Sequence, residues 1–207
     1  MVEAAAFWDK TAEKYAKAPI KDMAAYEATL ARVRAHLTPE TEALEIGCGT
    51  GTTALKLAGA AKYITASDIS AEMIAIAQGK AASEGVLNVD FLKATLDDHP
   101  FTEEQFGAVM AFNLLHLIED IEGALRRVHG LLKPGGLFIS KTACLGDRMV
   151  LFRLLLPVMQ AFGRAPYVRF FKTAELDGMI EAAGFELIET GYYPEKARAR
   201  FVVARKR

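Results

Sequence analysis

Apolar positions change period several times along this chain. Over Ala4 to Lys17, Phe7, Ala12 and Tyr15 fall close to one helical face, with charges elsewhere. That spacing predicts an amphipathic helix. Pro19 interrupts it. A second helix is predicted from about Ala24 to His36, ending near Thr38-Pro39, because a residue before proline avoids the helical region. From Glu42 the pattern becomes short apolar runs alternating with helical stretches. Strands are predicted at Glu42–Ile46, Tyr63–Ser67, Val89–Leu92, Phe106–Phe112 and Leu137–Ser140. Helices are predicted at Thr52–Gly59, from Ser70 as cap to Glu84 with Gly85 as stop, and at Ile121–Leu132 before Lys133-Pro-Gly-Gly136.

Most of these strands are largely apolar, as strands buried on both faces should be. Alternation with helices then predicts an α/β fold, a Rossmann-like doubly wound sheet with right-handed crossovers. After Ala143 the rhythm breaks. A helical stretch is predicted over Arg148 to Phe162, and Thr173 should cap a helix ending at Gly184. The last two strands, Phe185–Thr190 and Arg198–Ala204, are joined through Tyr192-Tyr-Pro-Glu195. So short a link predicts an antiparallel hairpin at the sheet edge. Residues 1–207 are expected to form one domain, with a helical cap over 1–40 and a helical lid inserted over 144–172.

Composition narrows the function classes. The chain is 52% hydrophobic and its net charge is -1, so it has the apolar content for a core and no bulk attraction to nucleic acid. Its two cysteines, Cys48 and Cys144, are far apart, which fits neither a disulfide framework nor a zinc site. No metal site is expected. Met1 to Lys10 carries Glu3, Asp9 and Lys10, unlike a signal peptide, so the expected location is cytoplasmic. Met149 to Phe162 is nearly all apolar but is interrupted by Arg153, Pro157 and Gln160. It is shorter than the roughly 20 residues of a spanning helix, and no transmembrane segment is expected.

The chemistry concentrates in Leu44-Glu-Ile-Gly-Cys-Gly-Thr-Gly51. A strand runs into Gly47, Gly49 and Gly51, and a helix follows. Glycine allows a sharp turn and close approach of backbone to a ligand. This spacing differs from the dinucleotide pattern, whose last glycine falls three residues after the second. About 20 residues further on, Asp68 ends the second strand, where a carboxylate can take both ribose hydroxyls of a nucleoside. Ser70 already supplies the helix cap there.

Together these residues resemble the first two signatures of the class I S-adenosylmethionine-dependent methyltransferases. Asn113-Leu-Leu-His-Leu117, Leu132-Lys-Pro-Gly-Gly136, Phe171-Lys-Thr-Ala-Glu-Leu176 and Ala183-Gly-Phe-Glu186 look like later elements of that family, in the same order. The resemblance implies S-adenosylmethionine as cofactor and S-adenosylhomocysteine as product. It implies that Gly47, Cys48, Gly49 and their loop hold the amino acid part, with Glu45 orienting the loop. Asp68 would bind the ribose, Ile69 and Met73 would pack on adenine, and Thr95 and Leu96 would line its edge. Asn113 and Leu114 would face the methyl group, and Tyr15 would close over the cofactor. Many relatives carry an aspartate where this chain has Thr95.

Methyl transfer needs alignment and exclusion of water, with a general base as an aid. His116, after the fourth strand, is the candidate base; its alternative is a structural histidine holding the loop. Cys48 has no partner base in sequence and reads as a small side chain in a tight turn. The expected acceptor is a small molecule. The region from Cys144 to Lys172 is rich in Leu, Phe and Met and holds Arg148, Arg153, Arg164, Arg169 and Lys172 against Asp147 alone. Such a lid suits a lipophilic or acidic acceptor, or peripheral contact with a membrane; the plainer reading is a helix packed on the core with a solvated basic face. Three functions stay open: small-molecule methyl transfer, phospholipid or quinone methylation at a membrane face, and a non-catalytic nucleoside-binding module. No basic stripe with interleaved aromatics points to nucleic acid.

Overall fold

A computed structural model describes residues 2–96, 98, 101–147, 156, 160, 165–193, 195 and 199–207. Two helices come first, α1 (Val2–Lys17) and α2 (Met23–Arg34). Then follow β1 (Glu42–Ile46), α3 (Thr52–Leu57), β2 (Tyr63–Asp68), α4 (Ala71–Glu84), β3 (Val89–Lys93) and β4 (Phe106–Phe112). The chain ends with α5 (Ile121–Leu131), β5 (Leu132–Ala143), α6 (Thr173–Ala182), β6 (Phe185–Gly191) and β7 (Ala199–Lys206). The seven strands lie in the order β3-β2-β1-β4-β5-β7-β6. β3 through β5 are parallel, and β7 runs antiparallel to both its neighbours. Among the described residues, no helix is long and apolar enough to cross a membrane.

Alternation along the central strands divides the core into two layers. Ala108 and Met110 of β4 pack with Leu30, Val33, Leu57, Ile74 and Ala77 of α2, α3 and α4. Val109 and Ala111 pack on the other face with Leu125, Val128, Leu176 and Ile180 of α5 and α6. The hairpin is antiparallel as the short link predicts, but its two strands differ. Phe201-Val-Val-Ala204 is a continuous apolar run and is fully buried, so β7 sits inside the sheet. β6 alternates, with Glu186, Ile188 and Thr190 exposed, and forms the edge.

Several boundaries differ from the sequence expectation. β5 starts at Leu132 rather than Leu137, because Leu132 pairs with Phe106 before Lys133–Gly136 bulges out of register. α3 gives way at Ala58 to one 3₁₀ turn. Thr173 is the first residue of α6 and not its cap; Lys172 holds that position, and its N–H donates to the Glu175 carboxylate at 2.6 Å. Most of the helical stretch expected over 148–162 lies outside the described residues. Of it, Leu156 is helical and buried, and Gln160 is helical and donates to the Pro166 carbonyl at 2.9 Å.

Strand order reverses between β1 and β4, so their carboxyl ends open a crevice where doubly wound sheets bind ligands. The glycine turn leaves β1 at this point. Gly51 has φ +76°, and a Cβ there would lie 2.6 Å from the Phe91 ring and 2.7 Å from Ala77 Cβ. Its third glycine therefore lets α4 and β3 close behind the loop. Gly51→Ala should destabilise the fold by about 1–3 kcal/mol through this overlap and the left-handed φ. Chemical denaturation measures it, and an unchanged midpoint would contradict the packing role.

Candidate active site

Gly47, Gly49 and Gly51 all have positive φ, so the chain after β1 curls tightly and presents backbone to the crevice. Across the turn lies Asp68, at the end of β2 and 9% exposed. One carboxylate oxygen accepts from Gly49 N–H at 2.8 Å, and the other from Ser70 N–H at 2.9 Å. Asp68 thus ties the glycine loop to the start of α4. Burial raises its carboxyl above the usual range, opposed by the N–H donors of Ser70, Gly49 and Ile69.

Glu45 is the second carboxyl under the loop, on the last turn of β1 and 2% exposed. Its Oε2 has no hydrogen-bond partner among the described residues. Burial, then the nearby Asp68 charge, raises its pKa to about 8 against one opposing backbone N–H, from Ala54. Two carboxylates this close compete for one charge. Asp68, with more backbone donors, keeps it, and Glu45 holds the proton at neutral pH.

The other sequence-predicted residues gather around this turn. Leu114 rests on Gly47, its Cδ1 only 2.6 Å from where a Cβ would be. Tyr15 lies over Gly49, 3.7 Å from the corresponding point, with half its surface exposed. Cys48 is buried, and its thiol approaches the Gly49 carbonyl at 3.6 Å. Burial pushes that thiol up, which removes it as a nucleophile. Ile69 is half-buried, whereas Met73 is 2% exposed; of the two, Ile69 has surface to offer a ligand. Thr95 and Leu96 follow β3, half-buried. The Thr95 N–H donates to the Asp98 carboxylate at 2.5 Å. Asp97 lies outside the described residues.

Asn113 is exposed and takes φ +54°. Its N–H donates to the Lys141 carbonyl at 2.7 Å. This left-handed residue turns β4 into the 3₁₀ turn Leu115–Leu117 that carries His116. His116 is half-buried, its Nδ1 is sealed with no hydrogen-bond partner among the described residues, and burial lowers its pKa. The imidazole is therefore neutral near pH 7, in the form that accepts a proton.

Further side chains hold this edge that no sequence pattern marks. Asp9 of α1 accepts from Ser70 Oγ at 2.6 Å and Glu72 N–H at 3.2 Å, docking the first helix onto α4. Lys80 of α4 donates to the Thr50 carbonyl, Thr50 Oγ1 and Thr52 Oγ1 at 3.0–3.1 Å. Arg127 of α5 donates to the carbonyls of Leu96 and Phe101 at 3.2 and 3.1 Å. Arg169 donates its N–H to the His116 carbonyl at 2.7 Å and makes a two-pronged contact with Glu122, both arms 3.0 Å. The sequence offers Arg169 as one basic edge of a lid; in the structure its guanidinium pairs with Glu122, and its backbone N–H pins the His116 turn.

The buried Glu45 proton makes stability depend on pH. Folding raises this carboxyl from 4.5 to about 8. The contribution is fully present below the unfolded value and is lost as pH rises through the folded one. Ligand-free protein should therefore lose stability relative to Glu45→Gln between about pH 5 and pH 9, by on the order of 3–5 kcal/mol. Denaturant titration across that range measures it; parallel curves would contradict a buried proton.

Comparisons with known proteins fall on the same elements. The methyltransferase-domain family profile matches residues 43–136, which run from β1 to the start of β5. A ubiquinone biosynthesis O-methyltransferase from Xanthomonas axonopodis pv. citri is 30% identical over 179 residues, covering 81% of this chain and 74% of that protein. The enzyme of the same name from Methylobacterium nodulans is 31% identical over 153 residues, covering 71% of this chain. The match spans 60% of that relative's length. A solved S-adenosylmethionine-dependent methyltransferase structure from Thermotoga maritima superposes with a TM-score of 0.73 at 24% identity, over 99% of this chain and 100% of that one. Sheet order, glycine turn and sequence similarity together place the chain in the class I S-adenosylmethionine-dependent methyltransferase family.

Proposed function

We propose that this chain transfers a methyl group from S-adenosylmethionine to an oxygen of a small, hydrophobic acceptor. The observation that carries this reading is the Asp68 carboxylate held at the mouth of the glycine turn by Gly49 and Ser70 N–H groups. A nucleoside laid over the turn brings its ribose hydroxyls to that carboxylate. Asp68 is the proposed ribose ligand, and Gly47, Cys48 and Gly49 offer backbone to the amino acid part. Glu45, buried with an unpartnered oxygen, suits the ammonium end of the cofactor, since a cation there favours its ionised form. Ile69, Thr95 and Leu96 are the proposed adenine surroundings, with Met73 packed behind Ile69 at the start of α4, and Tyr15 the cover. The cofactor supplies an activated methyl carbon, so the protein's work is alignment and exclusion of water. The names of the two ubiquinone-biosynthesis relatives support an oxygen acceptor.

Asn113 and Leu114 are proposed to lie beside the methyl group, with His116 as the base that takes the acceptor's hydroxyl proton. Its burial keeps the imidazole neutral without any partner at Nδ1. The acidic limb of kcat/KM should then fall below pH 6.5, the ordinary histidine value. His116→Ala should remove that limb and lower kcat/KM by about 10²–10⁴-fold. An unaltered profile would leave His116 a structural residue.

Calorimetric titration tests the cofactor site. S-adenosylhomocysteine should bind and NAD should not. Asp68→Ala should weaken binding by about 1.5–3 kcal/mol, the worth of a hydrogen bond to a charged group. Equal affinity in wild type and variant would contradict the ribose role.

A further inference from the structure

β5 leaves the core as an abrupt change of character. Leu137, Phe138 and Ile139 are followed by Ser140, Lys141 and Thr142. Lys141 projects toward α2, on the face opposite α5. Its Nζ donates to Thr29 Oγ1 at 2.5 Å and reaches the Ala25 carbonyl at 3.5 Å. Both partners are neutral, and the Thr29 hydroxyl already donates to the same carbonyl at 2.7 Å. The carboxylate that Lys141 senses is Asp22, which caps α2 by accepting from Ala25 N–H at 2.9 Å. Among the described residues, Lys141 has no ion-pair partner within 4.0 Å, whereas Arg32, Arg169, Arg200 and Lys206 each meet a carboxylate.

The location matters as much as the missing counter-ion. Lys141 is the register partner of Phe112, and its carbonyl holds the Asn113 N–H. One strand away, Ile46 pairs with Ala111 at the foot of the glycine turn. The Lys141 backbone is therefore on the carboxyl edge of the sheet, next to Asn113, and its amine is turned toward α2. Lys141 is half-buried rather than sealed. A cation partly removed from water without an anion is an unfavourable arrangement that an incoming anion relieves.

We propose that Lys141 is an acceptor-recognition residue that binds an anionic group of the methyl acceptor, a carboxylate or an ionised hydroxyl. The inference rests on the reading of this edge as a cofactor and acceptor site. Thr29 holds the ammonium in place, and a remaining N–H meets the anion. Substrate choice then follows charge as well as lipophilicity.

The test uses protein saturated with S-adenosylhomocysteine and two probe pairs, benzoate with benzamide and octanoate with octanamide, titrated by calorimetry. Wild type should bind the carboxylate of at least one pair about 10- to 100-fold more tightly than its amide, the span of one charge-assisted hydrogen bond. Lys141→Met should erase that preference, and Lys141→Arg should retain it. S-adenosylhomocysteine affinity should stay within about twofold in both. Thr29→Val removes a neutral partner but keeps the cation, and it should preserve most of the preference. Absence of preference in wild type, or its survival in Lys141→Met, overturns the proposal. Loss in Thr29→Val equal to that in Lys141→Met overturns it too, making the pair an anchor for α2. Failure of wild type to bind S-adenosylhomocysteine at all would strike the cofactor reading instead.

Discussion

The Asp68 carboxylate is the contact on which the rest of this site depends. It bridges two backbone N–H groups, one in the glycine turn and one at the start of α4. Those donors lie on different elements, leaving from neighbouring strands. Beside the Ile46–Ser67 strand pairing, this bridge ties the glycine turn to the start of α4 and leaves a negative charge at the mouth of the crevice. A hydrogen bond to a charged group is worth about 1.5–3 kcal/mol, enough to hold a loop whose glycines give it little rigidity of their own. The same charge adds to the effect of burial on its neighbour: Glu45 holds a proton first because it is sealed from water and then because Asp68 lies close.

Around this bridge, polar groups of neighbouring elements reach in. Asp9 docks α1, Lys80 binds the far side of the glycine turn, Arg127 holds the segment after β3, and Arg169 pins the His116 turn. Each bonds at least one backbone group or hydroxyl in a loop at the carboxyl edge. The apolar layers on both faces of the sheet fix where the strands lie, but burial is non-directional and does not set loop geometry. Directional polar contacts supply that second level of order. The division suits ligand binding, since loops held by single polar contacts adjust at lower cost than a packed core does.

Much of this was legible in the sequence, for local reasons. Buried parallel strands are apolar runs, and Glu42–Ile46 and Phe106–Phe112 show them directly. The turn after β1 needs glycine, and Ser70 caps α4 through the Met73 N–H at 3.1 Å, as its side chain suggests. Family resemblance implies that Tyr15 covers the cofactor; the structure shows its ring beside Gly49. Features set by distant partners were not legible. Lys133–Gly136 reads as a turn, yet Leu132 already pairs with Phe106. Thr173 reads as a cap, but the preceding backbone takes that position. The clamps of Asp9, Lys80, Arg127 and Arg169 join residues 30 to 61 positions apart. A lone charged side chain on an amphipathic helix carries no mark of which loop it will meet. The same holds for Lys141, whose lack of an anion becomes visible only once α2 is folded over it.

The most direct measurement is a crystal structure of the protein with S-adenosylhomocysteine. It should show the nucleoside over Gly47–Gly49, with both ribose hydroxyls within about 3.2 Å of the Asp68 carboxylate, the outer limit of a good hydrogen bond. The ammonium group should lie on the Glu45 side of the turn. A nucleoside bound elsewhere, or a ribose that leaves Asp68 engaged only with Gly49 and Ser70, would contradict the central role given to this carboxylate.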